Sequence, residues 1–160
     1  MAAIIAVVSV WQIPLPFGVP LTFQVFAVSL SGYALGKWRG SLSTFIYIFL
    51  GGVGLPLFSG FQGGLSVIAG PGGGFIIGFL LLSFFAGLGS NKKHFAALLF
   101  GFSGLLICHF TGILYFSFSQ NSSPIASFLM VSLPYILKDL LLVTGAYFIS
   151  FPIKKVIAGR

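Results

Sequence analysis

Three stretches of this chain, 41–56, 74–89 and 95–118, contain no Asp, Glu, Lys or Arg. A helix needs about 20 mostly apolar residues to cross the roughly 30 Å hydrocarbon core of a bilayer, and somewhat fewer when interface residues help. These runs, taken with their flanks, predict membrane-crossing helices. The run 21–36 is shorter but is bounded by Pro20 and by Lys37 and Arg39. Composition closes off the alternatives. Of 160 residues, 58% are hydrophobic and 6% charged, and mean hydropathy is +1.12, whereas a soluble domain carries about a quarter of its residues as charges. A chain so poor in charge cannot cover its apolar mass with a hydrated surface. A disordered tail is excluded by the hydrophobicity, and a disulfide scaffold by the single thiol, Cys108.

Eight Lys or Arg face one acid, and their positions decide what the net charge of +7 means. Seven fall in three short clusters: Lys37 and Arg39; Lys92 and Lys93, beside His94; and Lys154, Lys155 and Arg160. No basic stripe forms, so nucleic acid is not the expected partner. The connections near 14–20, 57–73 and 119–123 carry no charge, so basic and neutral connections alternate. That is the positive-inside pattern. It predicts an all-α membrane protein, one domain over 1–160, with six crossings near 2–13, 21–36, 41–56, 74–89, 95–118 and 134–151. Both termini and the two basic loops lie on the cytoplasmic side.

The first and last runs are irregular. Ala2 to Ile13 gives only 12 residues before Pro14 and has no basic residue ahead of it, as a start site placed too far downstream would explain. At the other end, 124–151 is too long for one ordinary crossing. Proline suits the first turn of a helix, so a span from Pro134 runs 18 residues to Phe151 and stops before Pro152. At 1.5 Å per residue that is about 27 Å. The stretch 124–132 then forms a short helix near the outer surface, and Asp139 lies one to two turns below that interface.

Asp139 is the leading candidate for function, because an acid at the centre of a membrane span costs about 2.5 to 3.5 kcal/mol on insertion scales and needs a partner or a ligand. Lys138 is its neighbour, but adjacent helical positions point about 100° apart, so the two are not expected to form a ready-made pair. Tyr135, one turn earlier, shares the face of Asp139 and is a candidate hydroxyl partner or pocket wall. The structural alternative is a Lys138 that snorkels outward and an Asp139 bonded to some hydroxyl.

The stretch from Gly51 to Gly78 holds eleven of the 22 glycines. Gly74-x-x-x-Gly78 has the spacing for close helix packing, and the rest permits irregular backbone lining a cavity. We therefore expect 57–73 to be an outward, re-entrant connection. It has no Gly-Lys-Ser/Thr ending, and no ATPase motif occurs in the chain. Cys108 and His109, mid-run in the fifth span, are a poor basis for a metal site, and a packed interior histidine is the expectation. Two histidines and one acid starve hydrolase triads, carboxylate dyads and proton relays of parts. No enzyme activity, metal or cofactor is therefore expected. Most of the 20 phenylalanines are bulk for lipid and helix packing; Phe17, Phe23, Phe58 and Tyr135 are candidates for an apolar pocket.

The ordered strings IPLPFGVPLTFQVFAVSLSGYALG (13–36), GGVGLPLF (51–58), GGLSVIAGPGGGFIIGF (63–79) and LPYILKDLL (133–141) together resemble the BioY family. These are the substrate-binding S components of biotin transporters of the energy-coupling-factor type. The resemblance runs over nearly the whole chain, and Pro-x-Thr-x-Gln at 20–24 with Gly-Pro-x-Gly-Gly at 70–74 is its most specific part. It implies six helices and capture of biotin from outside, in a pocket in the outer half of the membrane covered by the loop between the first two helices. It also implies a bacterial cell membrane, a transmembrane coupling subunit and a pair of cytoplasmic ATPases as partners. By the resemblance, Gln24 matches the family's glutamine, Gln62 lies where a polar side chain approaches the ligand, and Asp139 accepts from a ureido N–H. Ala2-x-x-x-Ala6 has the small-residue spacing S components use to dock on the coupling subunit.

One departure from the family stands out. The family carries a lysine three residues after this acid; here position 142 is Leu, and Lys138 precedes Asp139 instead. Lys138 is then expected to reach the ligand's carboxylate or Asp139 from the other side of the helix. The departure leaves open an S component for another small vitamin-like solute, and the residues alone also leave open a stand-alone permease or a structural membrane protein.

Overall fold

The computed structural model describes residues 1–16 and 19–157. Its order is α1 (Ala2–Ser9), β1 (Gln12–Ile13), β2 (Leu21–Thr22), α2 (Gln24–Leu35), α3 (Lys37–Gly52), α4 (Leu65–Ile68), α5 (Gly73–Gly89), α6 (His94–Ser119), α7 (Pro124–Val131) and α8 (Leu133–Ile157). A 3₁₀ turn at Ser59–Phe61 precedes α4. Helices α6 and α8 are each long and apolar enough to cross a membrane, and α2 and α5 are shorter apolar helices.

The first run is not one helix. Helix α1 ends at Ser9, whose hydroxyl donates to the Ile5 carbonyl, and Gln12–Ile13 pair antiparallel with Leu21–Thr22. Prolines explain the switch. The residue before a proline is pushed out of the helical region, which sets Ile13 ahead of Pro14, and Pro20 does the same at the far arm of the ribbon. Helix α2 consequently begins at Gln24 rather than at 21. It stops at Gly36, whose φ of 80° favours glycine, and α3 starts at once. Lys37 and Arg39 thus form the first turn of α3, and its end falls at Gly52 rather than at 56, ahead of Gly54 with φ 117°.

Helix α8 also outruns its expected stop. Pro152 lacks the N–H that would reach the carbonyl four residues back, yet the helix continues to Ile157. Its last turns are pinned from outside: Phe151 packs on His94 and Tyr147, and Lys154 donates to the Ser90 carbonyl. Ahead of α8, Ser123 caps α7 by accepting from the Ala126 N–H, with Pro124 in the first turn.

Small residues let the helices meet backbone to backbone. A Cβ at Gly74 would stand 2.4 Å from Tyr115 Cβ, and one at Gly78 would stand 2.6 Å from Thr111 Oγ1 and 2.9 Å from Cys108 Cα. The Gly74-x-x-x-Gly78 pair is therefore the face on which α5 lies against α6. Hydroxyls link helices inside the apolar bundle: Ser31 on α2 is 3.1 Å from Ser83 Oγ on α5 and donates to the Gly40 carbonyl of α3 at 3.2 Å. The basic clusters gather at one end of the bundle. Gly87 abuts the Lys37 backbone, where a Cβ would be 2.4 Å from Lys37 Cα, and Lys154 reaches Ser90 in the connection that carries Lys92 and Lys93.

Candidate functional site: an acid-bearing cavity

A cavity of about 600 Å³ opens at the other end of the bundle. The neutral connections build it. Gln12, Leu15, Val19 and Thr22 line it from the ribbon, Phe58, Gln62 and Gly63 from the connection after α3, and Gly72, Phe75 and Phe79 from α5 and its approach. Helix α6 contributes His109, α7 Val131, and α8 Tyr135, Lys138 and Asp139. The mixture of apolar surface and a few convergent polar groups is that of a small-molecule site.

The connection 57–73 folds inward through local chemistry. Phe58 donates its N–H to the Gln62 carbonyl at 2.9 Å, closing a tight loop whose Gly60 has φ 70°. The Phe58 ring is fully buried, edge-on to Tyr47 with centroids 5.6 Å apart. A Cβ at Gly51 would lie 2.5 Å from Phe58 Cζ, so the glycine face is what admits the ring.

Asp139 is 4% exposed and sits between two potential cations. His109 Nε2 lies 3.3 Å from Oδ2, and Lys138 Nζ lies 2.7 Å from Oδ1. Helical phase alone does not pair the two, yet Lys138 reaches Asp139 along its flexible stem, one of the two places expected for it. The flexible lysine stem bends toward the acid because a second acceptor draws the ammonium to the same place: Lys138 donates to the Thr22 carbonyl at 2.7 Å. The ammonium therefore makes a charge-assisted contact with Oδ1 while it also holds the Thr22 carbonyl. His109 is held from behind, its Nδ1 2.9 Å from Ser132 Oγ. Facing a carboxylate assigns the ring proton to Nε2, and the Nδ1 of that tautomer accepts from the Ser132 hydroxyl.

The remaining sequence candidates take distinct places. Tyr135 does not bond Asp139; its hydroxyl donates to the Val19 carbonyl at 2.5 Å, and it lines the cavity as a wall. Gln24 lines the cavity at the start of α2, donating to Tyr47 Oη at 2.8 Å while its Oε1 accepts from Thr22 Oγ1 at 3.1 Å. Gln62 lines the opposite side. Phe58 is in the lining, Phe23 is 52% exposed away from it, and Phe17 lies outside the described residues. Ala2 and Ala6 are not in the cavity lining and are half-buried on α1 against the apolar core. His109 and Gln12 are lining residues that sequence reasoning passed over. The only signal for His109 was a polar side chain in the middle of an apolar run.

A helical bundle with basic residues collected at one end, and at the other a solute-sized cavity around a buried carboxylate, defines a solute-binding membrane protein. The BioY family model matches residues 1–159, and the chain belongs to the BioY family. It is 39% identical over 158 residues to the biotin transporter BioY of Thermotoga maritima, covering 96% of this chain and 92% of that one. It is 39% identical over 152 residues to the probable biotin transporter BioY of Pyrococcus horikoshii, covering 94% and 91%. The fold is similar to the 2.1 Å crystal structure of the S-component for biotin from an ECF-type ABC transporter. The TM-score is 0.87 at 26% identity, over 96% of this chain and 86% of that one.

Proposed function

We propose that this protein binds biotin in the cavity around Asp139 and is the substrate-specificity subunit of an energy-coupling-factor transporter. The observation that carries the reading is the Asp139 carboxylate, buried in the bundle, bordering the cavity and facing Lys138 and His109. Biotin offers two ureido N–H donors on an apolar bicyclic ring, and a hydrogen bond from such a donor to a carboxylate is about twice as strong as a neutral one. Phe58, Phe75 and Phe79 supply apolar walls for the ring, while Gln24, Gln62 and Tyr135 supply polar contacts around it. Lys138 offsets the charge of the acid, which a buried carboxylate in a membrane requires.

On this reading the chain makes six crossings in a bacterial cell membrane, with the cavity outward and the basic end and both termini cytoplasmic. The separation of the basic clusters from the cavity supports that orientation. Energy comes from partners, a transmembrane coupling subunit and two cytoplasmic ATPases, with Ala2 and Ala6 of α1 as the docking stripe. Titration calorimetry on the purified protein with biotin and with desthiobiotin tests the binding role. Desthiobiotin keeps the ureido ring, so it should bind more weakly than biotin yet measurably. Absence of heat and of competition for both ligands would remove biotin as the cargo.

A further inference from the structure

The ribbon over the cavity pairs only two residues with two, Gln12 with Thr22 and Ile13 with Leu21. Isolated two-stranded ribbons are marginal even at greater length, so contacts from elsewhere must set the position of this one. Among the described residues, three hydrogen bonds from distant parts of the chain reach it or its flanks: the Gly60 N–H donates to Val10 O at 3.0 Å, Tyr135 Oη to Val19 O at 2.5 Å, and Lys138 Nζ to Thr22 O at 2.7 Å. Two of the three come from a single turn of α8, the turn that also presents Asp139. The Lys138 ammonium touches both the ribbon and the cavity acid, since it lies 2.7 Å from Asp139 Oδ1 as well.

The geometry points to Lys138 as a positioning residue that ties the ribbon to the cavity acid, so that the rates of ligand entry and exit are set at this contact. One of the three N–H groups of the ammonium is given to the Thr22 carbonyl and its charge faces Asp139, so its hold on the ribbon is distinct from a direct contact with ligand. Its side chain is 22% exposed, against 5% for that of Asp139, as befits a group between the interior and the cover. A ligand donor arriving at Oδ1 would meet the ammonium there and share the carboxylate with it. Binding at the acid and the seating of the ribbon are thereby linked through one side chain.

The inference rests on the biotin reading only for its ligand, and two measurements separate them. Amide hydrogen exchange at residues 12–13 and 21–22 needs no ligand. Lys138→Met should speed exchange there by about tenfold, the size expected for losing one hydrogen bond from a charged group, while α5 and α6 stay unchanged. Stopped-flow binding of biotin should then show both association and dissociation faster in Lys138→Met, with Lys138→Arg restoring both. Should Lys138→Met fail to fold, Tyr135→Phe removes the neighbouring tether at Val19, and faster ribbon exchange is expected there too. Ribbon exchange at the wild-type rate in Lys138→Met would overturn the inference, as would a faster dissociation with unchanged association, the signature of a direct ligand contact. Failure of the wild-type protein to bind biotin would refute the proposed cargo and leave the exchange result standing as the test of the tether.

Discussion

Replacing Asp139 by Asn keeps the shape of the side chain and an acceptor oxygen while removing the charge, so it isolates what the carboxylate contributes to binding. In the folded protein Oδ1 lies beside the cavity, with Lys138 at 2.7 Å and His109 facing the other oxygen at 3.3 Å. A ureido N–H bonded to the carboxylate is a charge-assisted contact of about 1.5 to 3 kcal/mol, against roughly 0.5 to 1.5 for a neutral one. Asp139→Asn should therefore lose about 1 to 1.5 kcal/mol, near a tenfold rise in the biotin dissociation constant, and Asp139→Ala about 1.5 to 3 kcal/mol, or roughly 10- to 150-fold. Titration calorimetry in one detergent at fixed pH measures both, with thermal unfolding run on the same samples to confirm folding. The ordering wild type, then Asn, then Ala is the critical outcome. Equal affinity for wild type and Asn would show that the charge plays no part, and equal losses for Asn and Ala would show that the remaining acceptor is not used.

Three further substitutions probe neighbouring parts of the structure. His109→Phe keeps a ring edge-on to Phe75, now at centroids 5.8 Å apart, but strands the Ser132 hydroxyl and one face of Asp139; calorimetry should show weaker biotin binding by several-fold, and thermal unfolding a loss of about 1 to 3 kcal/mol. Gly51→Val places side-chain atoms where Phe58 Cζ already lies, so the ring must leave its pocket; a cost of about 1 to 3 kcal/mol should appear as a lower melting temperature, and an unchanged one would mean that the ring does not need the glycine face. Ala6→Leu should reduce recovery of the coupling subunit in a pull-down, and an intact assembly would take α1 out of the docking surface.

Apolar length reports helices well where backbone and side chains agree. The runs at 74–89 and 95–118 carry no charge, and helices cover Gly73–Gly89 and His94–Ser119. It reports badly where proline overrides hydrophobicity. The run from Ala2 to Ile13 carries no charge, but its end, Gln12–Ile13 ahead of Pro14, is one arm of a ribbon. For the site, Asp139 was conspicuous because its burial is costly in any apolar helix. Pairwise details were not legible. Helical phase separates positions 138 and 139, and only the Thr22 carbonyl, 116 residues away in sequence, shows why the lysine turns back. His109 lies on α6 and Ser132 in the turn between α7 and α8, so no local spacing could have joined the histidine to Asp139.

The close approach of α5 and α6 bears on how this site can diversify. Side chains are sterically barred at 74, 78 and 112, where a Cβ would fall 2.4 to 2.6 Å from Tyr115, Thr111 or Phe75. These three glycines face the α5–α6 seam and none of them is in the cavity lining, so enlargement there separates the helices instead of reshaping the cavity. New ligand preferences must then arise from side chains that reach the cavity, among them Gln12, Leu15, Gln62, Phe75 and Phe79. Relatives that have acquired a different cargo should differ in those positions and keep the three glycines.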